Sequence, residues 1–193
     1  GPERSWELDP LPLLVSSQEW LQIEIGLVQQ IEIGLVQRAE LFNLILQDIY
    51  GPQELVKGGL LPFDLVYGHG GFLRPCHPLR ARTVHPLVLY AADLARAPDG
   101  KMWVIADRTQ APSGAGYALE NRVVMTRILP SLFRDSHPHR LAPFFRRMRE
   151  SLAALAPAGV DDPRVVIMTP GQRNVTYFEQ MYLANYLEYR LVE

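Results

Sequence analysis

The sequence is short of three things: it has a single cysteine, no surplus of charge of either sign, and no long apolar run. One thiol, Cys76, cannot close an internal disulfide and cannot by itself hold a structural zinc. That usage fits a reducing, cytoplasmic setting. Nineteen basic against 21 acidic residues leave a formal charge of −2, where a dedicated nucleic-acid binder would carry a strong basic excess. No apolar stretch approaches the roughly 18 residues needed to cross a bilayer, and no signal-peptide pattern is present. The five histidines, His69, His77 and His85 among them, lack zinc-motif spacing. The expectation is a soluble protein that binds neither nucleic acid nor membrane. Its 193 residues, 48% of them hydrophobic, suffice for a sizeable core in one domain or slightly more.

Gly1-Pro2 has the look of a scar left by tag removal, and residues 3–15 are proline-rich and expected to form an extended arm. Ser16-Ser17-Gln18-Glu19 has capping-box spacing, opening a helical stretch that runs to about Tyr50 and closes at Gly51-Pro52. Within it, Gln22–Gln29 (QIEIGLVQ) recurs unchanged as Gln30–Gln37. Two eight-residue copies do not make a solenoid, so a recent duplication or an insertion is the better reading. Eight extra residues lengthen a helix by about 12 Å and leave a net rotation of about 80°. Both flanking apolar faces therefore cannot keep their register. The insert must be looped out, displace the N-terminal arm, or lengthen the helix at a packing cost; the expectation is displacement of the arm, which could then dock on a second copy as a homodimer.

Further on, Phe63–Arg74 is expected as a strand broken by glycines. Val84–Ala95 and Lys101–Asp107 are two apolar runs joined across Ala97-Pro98-Asp99-Gly100, a hairpin signal. Helices are expected over about Ser113–Phe133 and Arg140–Ala156. Val165–Thr169, Thr176–Leu187 and Tyr189–Val192 then form a strand–helix–strand unit, which implies parallel pairing. Because the chain stops just as a sheet would be gathering strands, it is expected to be a fragment of a larger protein.

Function points to Asp107–Arg122. This segment follows a strand-like run, opens a helix, and sets charged, amide and hydroxyl side chains around Gly114, Ala115 and Gly116. A backbone stripped of bulk at a helix start can approach an anion, because the first amides there have no internal partner. A phosphate or carboxylate site is one reading. A tight turn fixed by Pro112 and capped by Ser113 is the other.

These stretches resemble the circularly permuted ATP-grasp proteins, relatives of the glutathionylspermidine synthetase group. The likeness lies in Glu19-Trp20, Ile31–Arg38 and Asp48-Ile49-Tyr50-Gly51, in Gly71-Phe72-Leu73-Arg74, and in Asp93 with the Asp107–Arg122 block. It continues through Thr169-Pro170-Gly171, Asn174 and Tyr177-Phe178-Glu179. The resemblance implies an α/β fold: a long N-terminal helix, an antiparallel hairpin sheet with helices of ATP-grasp type over 16–160, and the start of a parallel βαβ segment over 161–193. It also implies a carboxylate–amine ligase that uses ATP and magnesium, acts through an acyl-phosphate, and takes carboxylate and amine substrates of peptide kind. Alpha-E and transglutaminase-like proteins are the implied neighbours.

On that resemblance Asp93 and Asp107 are the candidate metal ligands, and Arg108, Ser113, Gly114, Asn121 and Arg122 the candidate nucleotide-binding residues. One departure stands out. Many relatives carry Glu-Asp-Asn where this chain has Ala106-Asp107-Arg108, which removes one ligand and puts a cation where a dication should sit. Two accounts remain open. Either Arg108 grips phosphate directly, or the chain is a non-catalytic nucleotide- or peptide-binding module on a degenerate scaffold. Asp93 and Asp107 are expected on neighbouring strands, on one face and within about 12 Å, roughly four residues of strand. Plain structural readings compete at several positions. Asp93 could end a strand, Glu120, Asn121 and Arg122 could form a solvated helix face, and Gly171 and Asn174 could shape an ordinary βα loop. The basic run Arg134, His137, His139, Arg140, Arg146, Arg147 and Arg149 suits either a phosphate-binding surface or a solvated face. A chain ending here is not expected to complete a ligase reaction alone.

Overall fold

The computed structural model describes residues 16–19, 21, 33–77, 86–99 and 101–193. The expected arm, the first QIEIGLVQ copy and the opening of the expected strand at Val84 lie outside these residues. The chain divides into two compact units at Pro112/Ser113.

In the Leu14–Pro112 unit, the capping box forms as expected. Ser16 Oγ accepts the N–H of Glu19 at 3.2 Å, and Glu19 Oε2 accepts the N–H of Ser16 at 3.1 Å. Helix α1 spans Ile33–Ile49, so the second copy is helical from Ile33 and continuous with Arg38 onward. In the turn that follows, a Cβ at Gly51 would lie 2.4 Å from the Gln47 carbonyl oxygen. Asp48, in the last turn of α1, accepts the N–H groups of Glu54 and Leu55 at 2.8 and 3.0 Å and so caps the short helix α2, Glu54–Lys57.

The strand expected over Phe63–Arg74 is instead a helix, α3, over Phe63–Tyr67, followed by turns and a 3₁₀ segment at Arg74–Cys76. Pro62 sits just before the first turn, Asp64 within it, and Gly68 after the last, all of which favour helix termini. Helical spacing also brings Phe63 and Tyr67 together at 4.7 Å between ring centroids. Phe72 stacks on Tyr50 and meets Tyr67 edge-on, and the Tyr50 hydroxyl accepts the N–H of Leu73 at 3.1 Å. Aromatic packing, not a sheet, holds this stretch.

The hairpin pairs β1, Ala91–Arg96, with β2, Met102–Arg108, antiparallel, with Pro98 and Asp99 in a turn between them. Strand β1 starts later than expected because Asn43, buried on α1, accepts the N–H of Leu87 at 2.7 Å. That tethers the preceding backbone to a helix side chain instead of to a strand.

In the Ser113–Glu193 unit, α4 (Ala115–Ile128) stops before Pro130 and a new helix, α5 (Pro130–Asp135), begins there. The single helix expected to Phe133 is broken because proline lacks an N–H and disfavours helical geometry at Leu129, whose φ and ψ are −127° and 61°. Helix α6 covers Ala142–Ala153. Strands β3 (Val166–Met168) and β4 (Arg190–Val192) then pair in parallel around helix α7, Tyr177–Leu187, the βαβ unit expected from the pattern. Leu119, Phe145 and Leu187 form the buried centre, with Met148, Ile167 and Leu183 packed on it.

Candidate functional site

The hairpin carries both acidic candidates, and it separates them. Asp93 lies opposite Ala106, whereas Asp107 lies opposite Ala92. Directly opposed residues share a face and neighbours alternate, so the two carboxylates project from opposite faces. The cause is a bulge. Nearer the turn, Leu94 opposes Val104; beyond it, Asp93 opposes Ala106, with Ile105 as the extra residue. Had the register continued unbroken, Asp107 would have opposed Ala91, on the same face as Asp93. The expected convergence of Asp93 and Asp107 on one site is therefore corrected.

Each carboxylate has found an arginine. On one face, Arg108 Nε lies 2.9 and 3.1 Å from the two Asp93 oxygens, and its Nη2 lies 2.8 Å from Oδ2. This fork holds the Asp93 carboxyl below its usual range, and Asp93 in turn raises the Arg108 guanidinium. On the other face, Arg38 from α1 donates through Nε at 2.8 Å to Asp107 Oδ1 and through Nη2 to Oδ2. The Tyr90 hydroxyl donates to the same Oδ1 at 2.6 Å. Arg38, then Tyr90, lower the Asp107 carboxyl. Burial, reinforced by Asp107, pushes the Tyr90 phenol up. Phe42 lies 6.4 Å from Tyr90 between ring centroids, so α1 reaches the hairpin through both a ring and a charge.

These residues do not fit a divalent cation in the hairpin. The Asp93 and Asp107 carboxylates face apart, and each already accepts a guanidinium, Asp107 the Tyr90 hydroxyl as well. Among the described residues no group of three or more His, Cys, Asp or Glu comes together as a metal cage.

In the second unit, the glycine-rich turn has the geometry expected of it. Gly114 occupies the cap of α4 with φ of 118°, a conformation that favours glycine. The N-cap is Gly114 and not the expected Ser113, and the N-cap residue itself makes no side-chain capping bond. The cap comes from α7: Glu179 Oε1 accepts the N–H groups of Gly114 and Gly116 at 2.6 and 2.9 Å. Glu179 is only 3% exposed. The turn does bind a carboxylate, and the carboxylate is the chain's own. Gly116 permits this approach, since a Cβ there would fall 2.7 Å from Glu179 Cγ and 3.2 Å from Leu183 Cγ.

Farther along α4, Asn121 buries its Oδ1 without a protein partner, and Arg122 lies over the Phe133 ring at 5.9 Å. In the βα loop, Gly171 has φ of 93°, and Asn174 Oδ1 accepts from the Thr176 N–H and hydroxyl at 2.9 and 2.7 Å. That is a local Asx turn, the plain loop reading. The basic run from Arg134 to Arg149 is exposed at each of its arginines and histidines.

The sequence alone assigned no role to Arg38, Tyr90 or Glu179, the three residues that complete these clusters. Tyr90 could have been found by parity, since it precedes β1 in step with Ala92, the residue opposite Asp107. Arg38 and Glu179 act from 69 and 63–65 residues away and left no local signal.

An antiparallel hairpin followed by helices and a parallel βαβ unit is the layout of part of an ATP-grasp protein. A model of the family described as circularly permuted ATP-grasp type 2 matches residues 12–193, and the chain belongs to that family. An uncharacterized protein of Mycobacterium tuberculosis is 40% identical over 188 residues, covering 97% of this chain and 20% of its own length. An uncharacterized protein of Synechocystis is 36% identical, covering 100% of this chain and 38% of its own length. One from Mycobacterium leprae is 31% identical, with 33% of its length covered. The chain thus spans about a fifth to two fifths of these relatives. No helix among the described residues is long and apolar enough to cross a membrane.

Proposed function

We propose that this chain is part of an ATP-dependent carboxylate–amine ligase. A substrate carboxylate oxygen attacks the γ-phosphorus of ATP and ADP leaves. The amine nitrogen then attacks the acyl-phosphate carbonyl, phosphate leaves, and an amide remains. Substrates of peptide kind suit this chemistry. The observation that carries the reading is the family match over residues 12–193. Within the Ser113–Glu193 unit, Ser113, Asn121 and Arg122 are proposed to meet the nucleotide, because charge and hydrogen-bonding groups there could stabilise a transferring phosphoryl group; Arg108, in the other unit, is already paired with Asp93. The Gly114 amide, also expected in that set, is taken by Glu179, as is the neighbouring Gly116 amide.

The second reading, a non-catalytic module that binds a nucleotide or peptide, is favoured by one observation: the hairpin carboxylates and the turn amides are already paired within the chain. Calorimetry with ATP, followed by hydroxylamine trapping of an acyl-phosphate with peptide acids present, separates the two. Acid-dependent ADP release with a trapped hydroxamate supports the ligase. Saturable ATP or peptide binding without either product supports the module.

A further inference from the structure

The hairpin register places Asp93, Ala106 and Arg108 on one face, with Ala106 directly opposite Asp93 and Arg108 two residues farther along β2. Three such positions could converge side chains on one point. In this chain the position facing Asp93 carries only a methyl group. The third carries a guanidinium whose Nε and Nη2 sit 2.8–3.1 Å from the two Asp93 oxygens. A divalent cation needs several oxygen ligands with lone pairs turned toward it. Both Asp93 oxygens already accept Arg108 N–H groups, the Ala106 side chain offers no ligand atom, and a dication brought to Asp93 would sit against a fixed positive charge.

We propose that Arg108 is the resident cation of this face, filling the place beside Asp93 and excluding divalent metal from the hairpin. Asp107 cannot compensate, because it lies on the opposite face and is held by Arg38 and Tyr90. The inference concerns metal binding alone and stands whether or not the chain belongs to a working ligase. Its consequence for that reading is specific: any dication that accompanies a triphosphate would be held by the phosphates and by residues other than this hairpin.

The test is titration of the metal-free full chain with Mn²⁺, followed by the electron paramagnetic resonance signal of the free ion. The native chain is expected to show no site tighter than about 1 mM that depends on Asp93, the weak end of protein sites for hard cations. The double variant A106E/R108N, which puts an oxygen ligand opposite Asp93 and removes the guanidinium, is expected to bind Mn²⁺ at least tenfold tighter than native. Adding Asp93→Asn should abolish that gain. Arg108→Lys keeps a cation beside Asp93 and should still exclude the metal. A native Mn²⁺ site that disappears in Asp93→Asn overturns the proposal. So does a double variant with native circular dichroism and melting that binds no better than native. Should the double variant not fold, the native-against-Asp93→Asn comparison still decides, and none of these readouts involves ATP.

Discussion

Glu179 accepts the N–H of Gly116 at 2.9 Å across a separation of 63 residues, with its side chain buried between α4 and α7. This contact decides how the glycine-rich turn is understood. The open amides at a helix start favour an anion, and here the anion arrives from inside the fold. Replacing Glu179 with Ala strands two buried or half-buried donors, at a cost of about 1–3 kcal/mol, with charged partners at the upper end. Chemical denaturation should show that loss. Glu179→Gln keeps an acceptor oxygen and should fall between the two. Equal stability of all three would mean that the amides find water instead and that the carboxylate is not the cap.

Gly116→Ala tests the same contact from the other side. Alanine is the better helix former by about 1 kcal/mol. The new methyl, however, would meet Glu179 Cγ at 2.7 Å and Leu183 Cγ at 3.2 Å, and overpacking of that kind costs about 1–3 kcal/mol. The net expectation is a lower melting temperature despite the gain in propensity. A rise would show that α7 shifts away from α4 at little cost.

Much of the local architecture was legible, and each failure has its own physical cause. The hairpin, the Ser16–Glu19 capping box and the βαβ pattern at the end are encoded within a few residues each, and each appears where its residues say it should. Phe63–Tyr67 went wrong because a short apolar run carries no clear period, and its flanking Pro62 and Gly68 decided the matter. The pairing of Asp93 and Asp107 went wrong on a single residue. The Ile105 bulge is invisible in an alternating pattern, yet it turns Asp107 to the other face. For Gly114 and Gly116, the turn was readable, while an anion site and a plain capped turn both stayed open. That Glu179 would supply the anion depended on the tertiary fold.

Asp107→Asn probes the second ion pair through pH. The Asp107 carboxyl is held below its ordinary value chiefly by Arg38 and then by Tyr90. A carboxylate depressed on folding adds stability that is fully present above its unfolded pKa, about 4, and is lost as pH falls through the lower folded value. The native chain should therefore melt higher than Asp107→Asn at pH 7, and the gap should close below about pH 4. The Arg38–Asp107 pair is partly exposed, so added salt should also narrow the gap at pH 7. A gap that holds constant from pH 7 to pH 3 would assign the effect of Asp107 to packing and not to charge.

The duplicated QIEIGLVQ gives the last test. Because the copies are identical, deleting Gln30–Gln37 leaves the same eight residues in front of Arg38. Helix α1 then keeps its sequence from the Ile-Gly-Leu-Val-Gln run through Ile49, and with it the Arg38–Asp107, Phe42–Tyr90 and Asn43–Leu87 contacts. Rotating that face instead would uncover the half-buried Phe42, Ile45, Leu46 and Ile49 and the buried Asn43, each apolar one at a fraction of the about 1.5–3 kcal/mol of a full burial, so the extra residues are expected to act on what precedes them. Hydrogen exchange at the hairpin should be unchanged by the deletion. The oligomeric state should shift toward monomer, as follows if a displaced arm carrying Trp6, Leu11, Leu13 and Leu14 docks on a second copy. Altered exchange in β1 and β2 would show that the duplication had already changed the helix register. An unchanged oligomeric state together with unchanged melting would mean that the second copy is a passive insertion.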